Sequence, residues 1–347
     1  MRHFGSPLWE RHVNGHHKPA LAALEPGSVY APELRPPPVS LPSRQRVPVG
    51  SAGPTPRHIV LLCTTVLTTL LAGMNWEGIA SPLEHLGQFY RGIPYAVTLL
   101  GILFCHEMGH YLTARYYGME VTWPFFIPGP PFLMGIPFLG TFGAVIRMKS
   151  PPQHRRALLY VGAAGPIAGF CVALLAIMYA YAMATVAPTP PGASSFYFTV
   201  VSTLPDGSNF YFHEPLLLRL VSLCILGPLP EGMTVSINSV GVAAWFGLLV
   251  TVLNLLPIGQ LDGGHIVYAL LGRRARYVSW LAIVGLLVLG VGWWSGWILW
   301  AFLGWLSGRR QPVVLDQYDP LNRHSHLIAG IALAIFVLCF VPVPISL

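Results

Sequence analysis

The sequence predicts an all-α polytopic membrane protein of about seven transmembrane helices, with a small membrane-associated β-hairpin between the second and third spans. Three observations carry this. Of 347 residues, 54% are hydrophobic and only 10% charged, and the mean hydropathy is +0.58. Average soluble domains carry about 25% charged residues, so 33 charged side chains could not cover a soluble fold of this size. An ordinary cytosolic enzyme is excluded on that ground. Second, the apolar residues gather into segments of membrane-crossing length. Third, Lys and Arg fall almost wholly on one side of those segments. The net charge of +7 therefore reflects loop orientation. No basic stripe interleaved with aromatics is present, and nucleic acid is not expected as a partner.

Residues 1–57 read as a disordered cytoplasmic N-terminal arm. They hold 11 of the 33 prolines, four histidines and seven of the 20 basic residues, with no periodic apolar face. His16 and His17 are read as part of a solvated arm. Residues 58–347 form the membrane-embedded domain. Apolar spans are expected over 58–75, 92–116, 156–187 and 239–258. The uncharged stretch 277–306 is too long for one upright span and contains Gly290, Gly292 and Gly296, so it splits into a hairpin of two short spans. A last span covers 325–341. The apolar piece 215–228 is short, ends in Gly227-Pro228 and reads as interfacial or re-entrant. With the N-terminus cytoplasmic, 18 of the 20 Lys and Arg are cytoplasmic, and only Arg91 and Arg219 lie opposite.

Residues 119–148 cannot form a regular helix, because Pro124, Pro128, Pro130, Pro131 and Pro137 interrupt them. The run from Gly140 to Met148 has strand character, and the segment reads as the β-hairpin. The five cysteines, Cys63, Cys105, Cys171, Cys224 and Cys339, are scattered singly, mostly inside apolar runs and without a CxxC pair, and read as buried thiols rather than a disulfide framework.

The strongest chemical signal is His106-Glu107-Met108-Gly109-His110 in the second span. Residues four apart on a helix differ by about 40° in azimuth, so both imidazoles face one zinc ion. Glu107 then reaches a zinc-activated water and accepts its proton. Two imidazoles and a carboxylate within an apolar helix are costly unless they face a partner or a wet cavity. A catalytic zinc takes a third protein ligand and keeps one position open. Glu120 and Asp262 are the candidates, and Asp262 is preferred: the glycines beside it permit close approach to a metal, and Pro257 breaks the helix so that the acid turns inward. One zinc ion per chain is the expected cofactor.

HExxH in a membrane span followed by Asn254-x-x-Pro257-x-x-x-Leu261-Asp262-Gly263 resembles the site-2 protease family of intramembrane zinc metalloproteases. Gly140-Thr-Phe-Gly143 and Gly162-Ala-Ala-Gly165-Pro166 match that family too. The resemblance is specific over roughly 92–270 and implies zinc on His106, His110 and Asp262, with Glu107 as catalytic base. It implies that the Asn254 amide hydrogen-bonds the substrate carbonyl or the oxyanion, against a helix-packing bond as the alternative. No region is long and polar enough for a PDZ domain, so the closest likeness is to the PDZ-less branch of bacteria and plant plastids. The catalytic core is expected over 92–272, with accessory spans at 58–75, 277–306 and 325–341. His265 is expected to be structural rather than a fourth ligand. Gly165/Gly169 and Gly292/Gly296 read as helix-packing pairs only, and the tryptophans 293, 294, 297, 300 and 305 as an interface belt.

The function this implies is hydrolysis of a peptide bond in or near the transmembrane helix of a single-span protein embedded in the lipid bilayer. The expected location is a cell inner membrane, with a plastid membrane second. The rival readings are a zinc-binding membrane transporter, disfavoured by the lack of an inverted repeat and of further intramembrane acids, and a catalytically silent scaffold, disfavoured by the intact motifs.

Overall fold

The computed structural model describes residues 53–79, 81–133, 136–189, 197–198, 211–308, 314–316 and 320–346. Most of the expected arm, with His16 and His17, lies outside them, as do Arg309 and Arg310. The described chain is mostly helical. Its helices are α1 (Pro56–Trp76), α2 (Ile93–Tyr116), α3 (Arg155–Ala182), α4 (Leu216–Leu226), α5 (Ser239–Leu255), α6 (Asp262–Leu271), α7 (Ala275–Gly292), α8 (Gly296–Gly308) and α9 (Arg323–Cys339). Their starts follow local chemistry. Pro56 opens α1, where its missing N–H costs nothing. Asn238 and Asn322 cap α5 and α9, their side-chain oxygens accepting from the backbones of Gly241 and Ser325.

Four helical segments are long and apolar enough to cross a membrane: Pro56–Trp76, Leu86–Tyr116, Arg155–Ala182 and Asp262–Gly292. The other expected spans are shorter helices: α5 and α9 have 17 residues each and α8 has 13. At 1.5 Å per residue a 17-residue helix covers only about 25 Å. The 277–306 stretch does form two helices, α7 and α8, with Trp293–Ser295 between them. Between the expected spans 239–258 and 277–306, where no span was expected, α6 forms and runs through a 3₁₀ turn into α7.

α3 is the hub. It packs against α2, α4, α5, α6 and α9. Its buried face is built from small residues, including Gly162, Ala163, Gly165 and Gly169. Without a hydrophobic drive between helices in lipid, such faces let backbones approach and gain dispersion contacts. The approach is mutual: a Cβ on Gly109 of α2 would meet the Ala164 carbonyl of α3. Pro166 sits inside α3, which neighbouring helices make tolerable. Outward positions such as Leu175, Leu281, Val291 and Leu333 leave large apolar side chains exposed. In a helical protein this hydrophobic, such faces suit contact with lipid.

Between α2 and α3 lie two small antiparallel sheets. β1 (Phe125–Pro128) pairs with β4 (Thr141–Val145), and β2 (Phe132–Leu133) with β3 (Ile136–Pro137). The β1–β4 register slips between Ile127 and Pro128. There the Thr141 hydroxyl donates to the Ile127 carbonyl and accepts from the Gly143 N–H. α1 packs against β1, and the Thr68 hydroxyl of α1 donates to the Gly140 carbonyl.

An all-α fold with one hairpin understates the β content. The third span was expected to reach residue 187, but α3 ends at Ala182. β5 (Thr185–Pro188) follows and pairs with β8 (Met233–Ser236). β6 (Tyr197–Phe198), β7 (Tyr211–His213) and β9 (Ile345–Ser346) form a three-stranded sheet. The β-branched Thr185 and Val186 followed by Pro188 favour extended backbone over a further helical turn.

The α1–α2 contact is glycine to glycine. A Cβ on Gly73 would lie 2.6 Å from the Gly92 carbonyl oxygen, and one on Gly92 would strike the Leu70 carbonyl. Gly92→Ala should therefore cost about 1–3 kcal/mol by forcing the helices apart. Gly101→Ala, whose Cβ meets nothing within 4 Å, should be neutral. Thermal unfolding of the two variants in detergent checks this.

Candidate metal centre

α2 carries His106, Glu107 and His110, all buried. α6 begins at Asp262. The His106 and His110 Nε2 atoms lie 3.1 Å apart, and each lies 3.2 Å from Asp262 Oδ2. These three donors form a nearly equilateral triangle. Zinc bonds of about 2.0–2.1 Å at tetrahedral angles put neighbouring donors roughly 3.3–3.4 Å apart. The donor set is therefore close to the size a zinc ion needs and has the nitrogen and oxygen chemistry of catalytic sites. It is the one such group of three among the described residues.

Tautomer chemistry supports the fit. His110 Nδ1 lies 2.7 Å from the Val161 carbonyl. A carbonyl only accepts, so Nδ1 carries the hydrogen and Nε2 presents its lone pair to the triangle. The Asn254 amide nitrogen, on the last turn of α5, is 3.4 Å from His106 Nε2. The backbone of Ile146, immediately after β4, lies beside the Glu107 carboxylate. Four helices and one strand end thus meet at one point.

Asp262 arrives there because α5 stops early. Leu256 precedes Pro257 and takes an extended backbone, ψ 133°. The chain turns through 256–261 with Gly259 at φ +49°. Gly263 and Gly264 then press backbone to backbone on this loop: a Cβ on Gly263 would strike the Leu255 carbonyl, and one on Gly264 the Gly259 carbonyl. α6 is held at its far end by Arg155 of α3, whose guanidinium donates to the Ala269 and Leu270 carbonyls. Those are carbonyls of the last turn of α6, which favours a cation there.

Of the residues singled out from sequence, His106, Glu107, His110, Asn254 and Asp262 come together. Glu120 is exposed and belongs to no such group. His265 is buried with Nδ1 unpartnered, and it faces Gly162 of α3 rather than joining the triangle. Gly165 and Gly169 were expected to serve packing only, and this needs correcting. A Cβ on Gly165 would fall on the His110 ring, and one on Gly169 would lie 3.1 Å from His106 Cβ. The two glycines hollow α3 to admit the two imidazoles. Their four-residue spacing, equal to that of the histidines, was the readable signal. The Gly292/Gly296 pair, also expected to pack helices, does not: Gly292 meets nothing, and Gly296 lies against the Trp294 indole.

A helical membrane-type fold with a buried two-histidine, one-aspartate site defines the class, that of membrane zinc metalloproteins built around HExxH. The model of peptidase family M50 matches residues 94–291, which contain every residue of the site. The chain belongs to that family. The match confirms the resemblance to site-2 proteases and, with it, zinc as the cofactor. Among similar proteins, a rice (Oryza sativa subsp. indica) protein named probable zinc metalloprotease EGY2, chloroplastic, is 30% identical over 81% of this chain and 48% of its own length. The Arabidopsis thaliana probable zinc metalloprotease EGY1, chloroplastic, is 33% identical over 72% of this chain and 43% of its own. A second Arabidopsis protein, probable zinc metallopeptidase EGY3, chloroplastic, is 26% identical over 81% and 47%. The chain spans about half the length of the curated relatives it matches. The expectation of a bacterial cell inner membrane is overturned here, because these relatives are named as chloroplastic and point to a plastid membrane.

Gly165→Ala should displace the His110 ring and lower bound zinc well below one per chain, while Gly169→Ala, with a contact that can yield by tenths of an ångström, should retain most of it. Metal content of the purified variants, with size-exclusion profiles as the folding control, checks this.

Proposed function

We propose that the protein is an intramembrane zinc metalloprotease that hydrolyses a peptide bond in or near the transmembrane helix of a single-span substrate. The observation that carries this reading is the convergence of His106, His110 and Asp262, with Glu107 adjoining and β4 ending beside it. His106, His110 and Asp262 hold the ion. Zinc bound there supplies Lewis acidity, polarising the scissile carbonyl and making water more acidic.

Glu107 is the general base. It takes a proton from the attacking water and returns it to the leaving nitrogen, so one carboxylate serves both transfers. Asn254 orients the carbonyl and donates to the oxygen on which charge develops. A helical amide is shielded by its own hydrogen bonds, so the substrate unwinds locally before it reacts. β4 pairs with β1 on one side, and its other side offers backbone groups to which an extended substrate segment adds as a further strand. Ile146, next after that strand, lies beside Glu107, so a peptide added to β4 would run close to the base.

In the membrane, α5, α8 and α9 complete seven spans, with α4 lying at the interface. The loops that carry Arg147, Lys149, Arg273, Arg274 and Arg276 share one side of a plastid membrane, the assignment supported by the charge asymmetry and by the names of the relatives.

Glu107→Gln should keep its zinc and lose at least a thousandfold in cleavage of a co-expressed single-span substrate. His106→Ala and Asp262→Ala should lose metal as well. Retained cleavage by Glu107→Gln would sink the assignment. Asn254→Ala should lower kcat by about 10²–10³ with zinc unchanged, whereas a packing role would leave the rate per folded molecule intact. Val145→Pro should abolish cleavage of the native substrate and leave metal content unaltered.

A further inference from the structure

A second site lies on the opposite side of α6 from Asp262. Residues two apart on a helix differ by about 200° in azimuth, so Gly264, and Tyr268 one turn on, face away from the metal. There α6, the start of α7 and the end of α8 line a partly open cavity of about 170 Å³. That is room for roughly ten water-sized groups. Tyr268, Arg276, Ser279, Trp280, Ile283 and Trp305 contribute to its walls, and Gly259, Gly264 and Gly308, whose backbones pack closely together, line it as well. None of its lining residues is acidic.

The cavity's character changes along its length. At one end sits Arg276, exposed, its guanidinium over the Tyr277 ring and donating to that hydroxyl. Arg273 and Arg274 lie one turn earlier, also largely exposed. Further along α7 the lining becomes apolar through Trp280 and Ile283. A cation, two hydroxyls and two indoles at the rim of a membrane helix, continuing into an apolar slot, match one kind of molecule. Its headgroup is anionic and its chains are hydrocarbon. A soluble anion would have no use for the apolar half, and a neutral lipid none for the arginine.

We propose that this cavity binds an anionic glycerolipid, with its phosphate or sulfonate on Arg276 and the start of its acyl chains along Trp280, Ile283 and Trp305. Because Gly259 and Gly264 line the same cavity and also shape the turn that delivers Asp262, the lipid braces that turn from behind. The proposal does not depend on the protease reading and is tested by binding alone.

The full chain, purified in neutral detergent, is titrated with brominated phosphatidylglycerol, brominated phosphatidylcholine and inorganic phosphate while tryptophan fluorescence is followed. A saturable quenching component should appear with the anionic lipid at a concentration at least tenfold lower than with phosphatidylcholine. It should vanish in a Trp280→Phe/Trp305→Phe variant that keeps its zinc and its elution profile. Arg276→Gln should weaken it at least about fivefold, the loss of one cation at an anionic surface. Arg273→Gln/Arg274→Gln should leave it within twofold, and inorganic phosphate should not displace it. Equal affinity for the two lipids would overturn the proposal. So would an unchanged Arg276→Gln, or a loss in Arg273→Gln/Arg274→Gln as large as in Arg276→Gln, since either marks a diffuse charged surface. Displacement by inorganic phosphate would mark a free-anion site instead and would equally refute it.

Discussion

Three donor atoms within 3.2 Å of one another, buried in a bundle that is otherwise almost wholly apolar, are the constraint to which the surrounding fold answers. A charged carboxylate at the centre of a membrane helix costs about 2.5–3.5 kcal/mol, and close-set imidazoles and carboxylates repel or neutralise one another without a shared cation. The arrangement is stable when a metal occupies the triangle and the remaining polar atoms have partners. His110 Nδ1 has the Val161 carbonyl. The metal and the second set of contacts thus act together, the backbone choosing which imidazole nitrogen is free.

The cost of that arrangement falls on α3. A helix next to two inward-pointing imidazoles must give up its own side chains where they land, and Gly165 and Gly169 do so. The same helix then recovers stability elsewhere: its small face packs against α2 and α6, and Arg155 at its start grips the end of α6. Asp262 is consequently positioned at both ends of a ten-residue helix, by the glycine-rich turn before it and by the arginine at its end. Rigid support of this kind keeps a site at the geometry its chemistry requires.

The β-sheets show a different logic. Irregular or extended backbone within a membrane protein survives only where its polar groups are paired or meet water. The β1–β4 pair satisfies part of that demand internally, with Thr141 repairing the register slip. What stays unpaired on the far side of β4 is what the proposed reaction uses.

How much of this was legible depended on the range of the interaction. Apart from α6, which no expected span covered, the helices follow apolar runs, prolines and glycines that act over a few residues, and the HExxH pair declares its shared face through helical periodicity alone. Asp262 was also legible, since so few acids lie in apolar surroundings and since glycines and Pro257 flank it. The extent of α3 and the strands β5 to β9 were not, because apolar β-branched residues suit either state until a partner strand is present. The membrane itself was misjudged: a bacterial inner membrane and a plastid membrane select for the same hydrocarbon thickness and the same charge asymmetry, so no residue pattern separates them. Sequence by itself determined a membrane-buried, zinc-suited set of side chains. Only the tertiary structure decided that Gly165 and Gly169 make room for the imidazoles, that Val161 chooses the His110 tautomer and that Arg155 anchors the helix of Asp262, because each joins residues whose separation in the chain hides their contact in space.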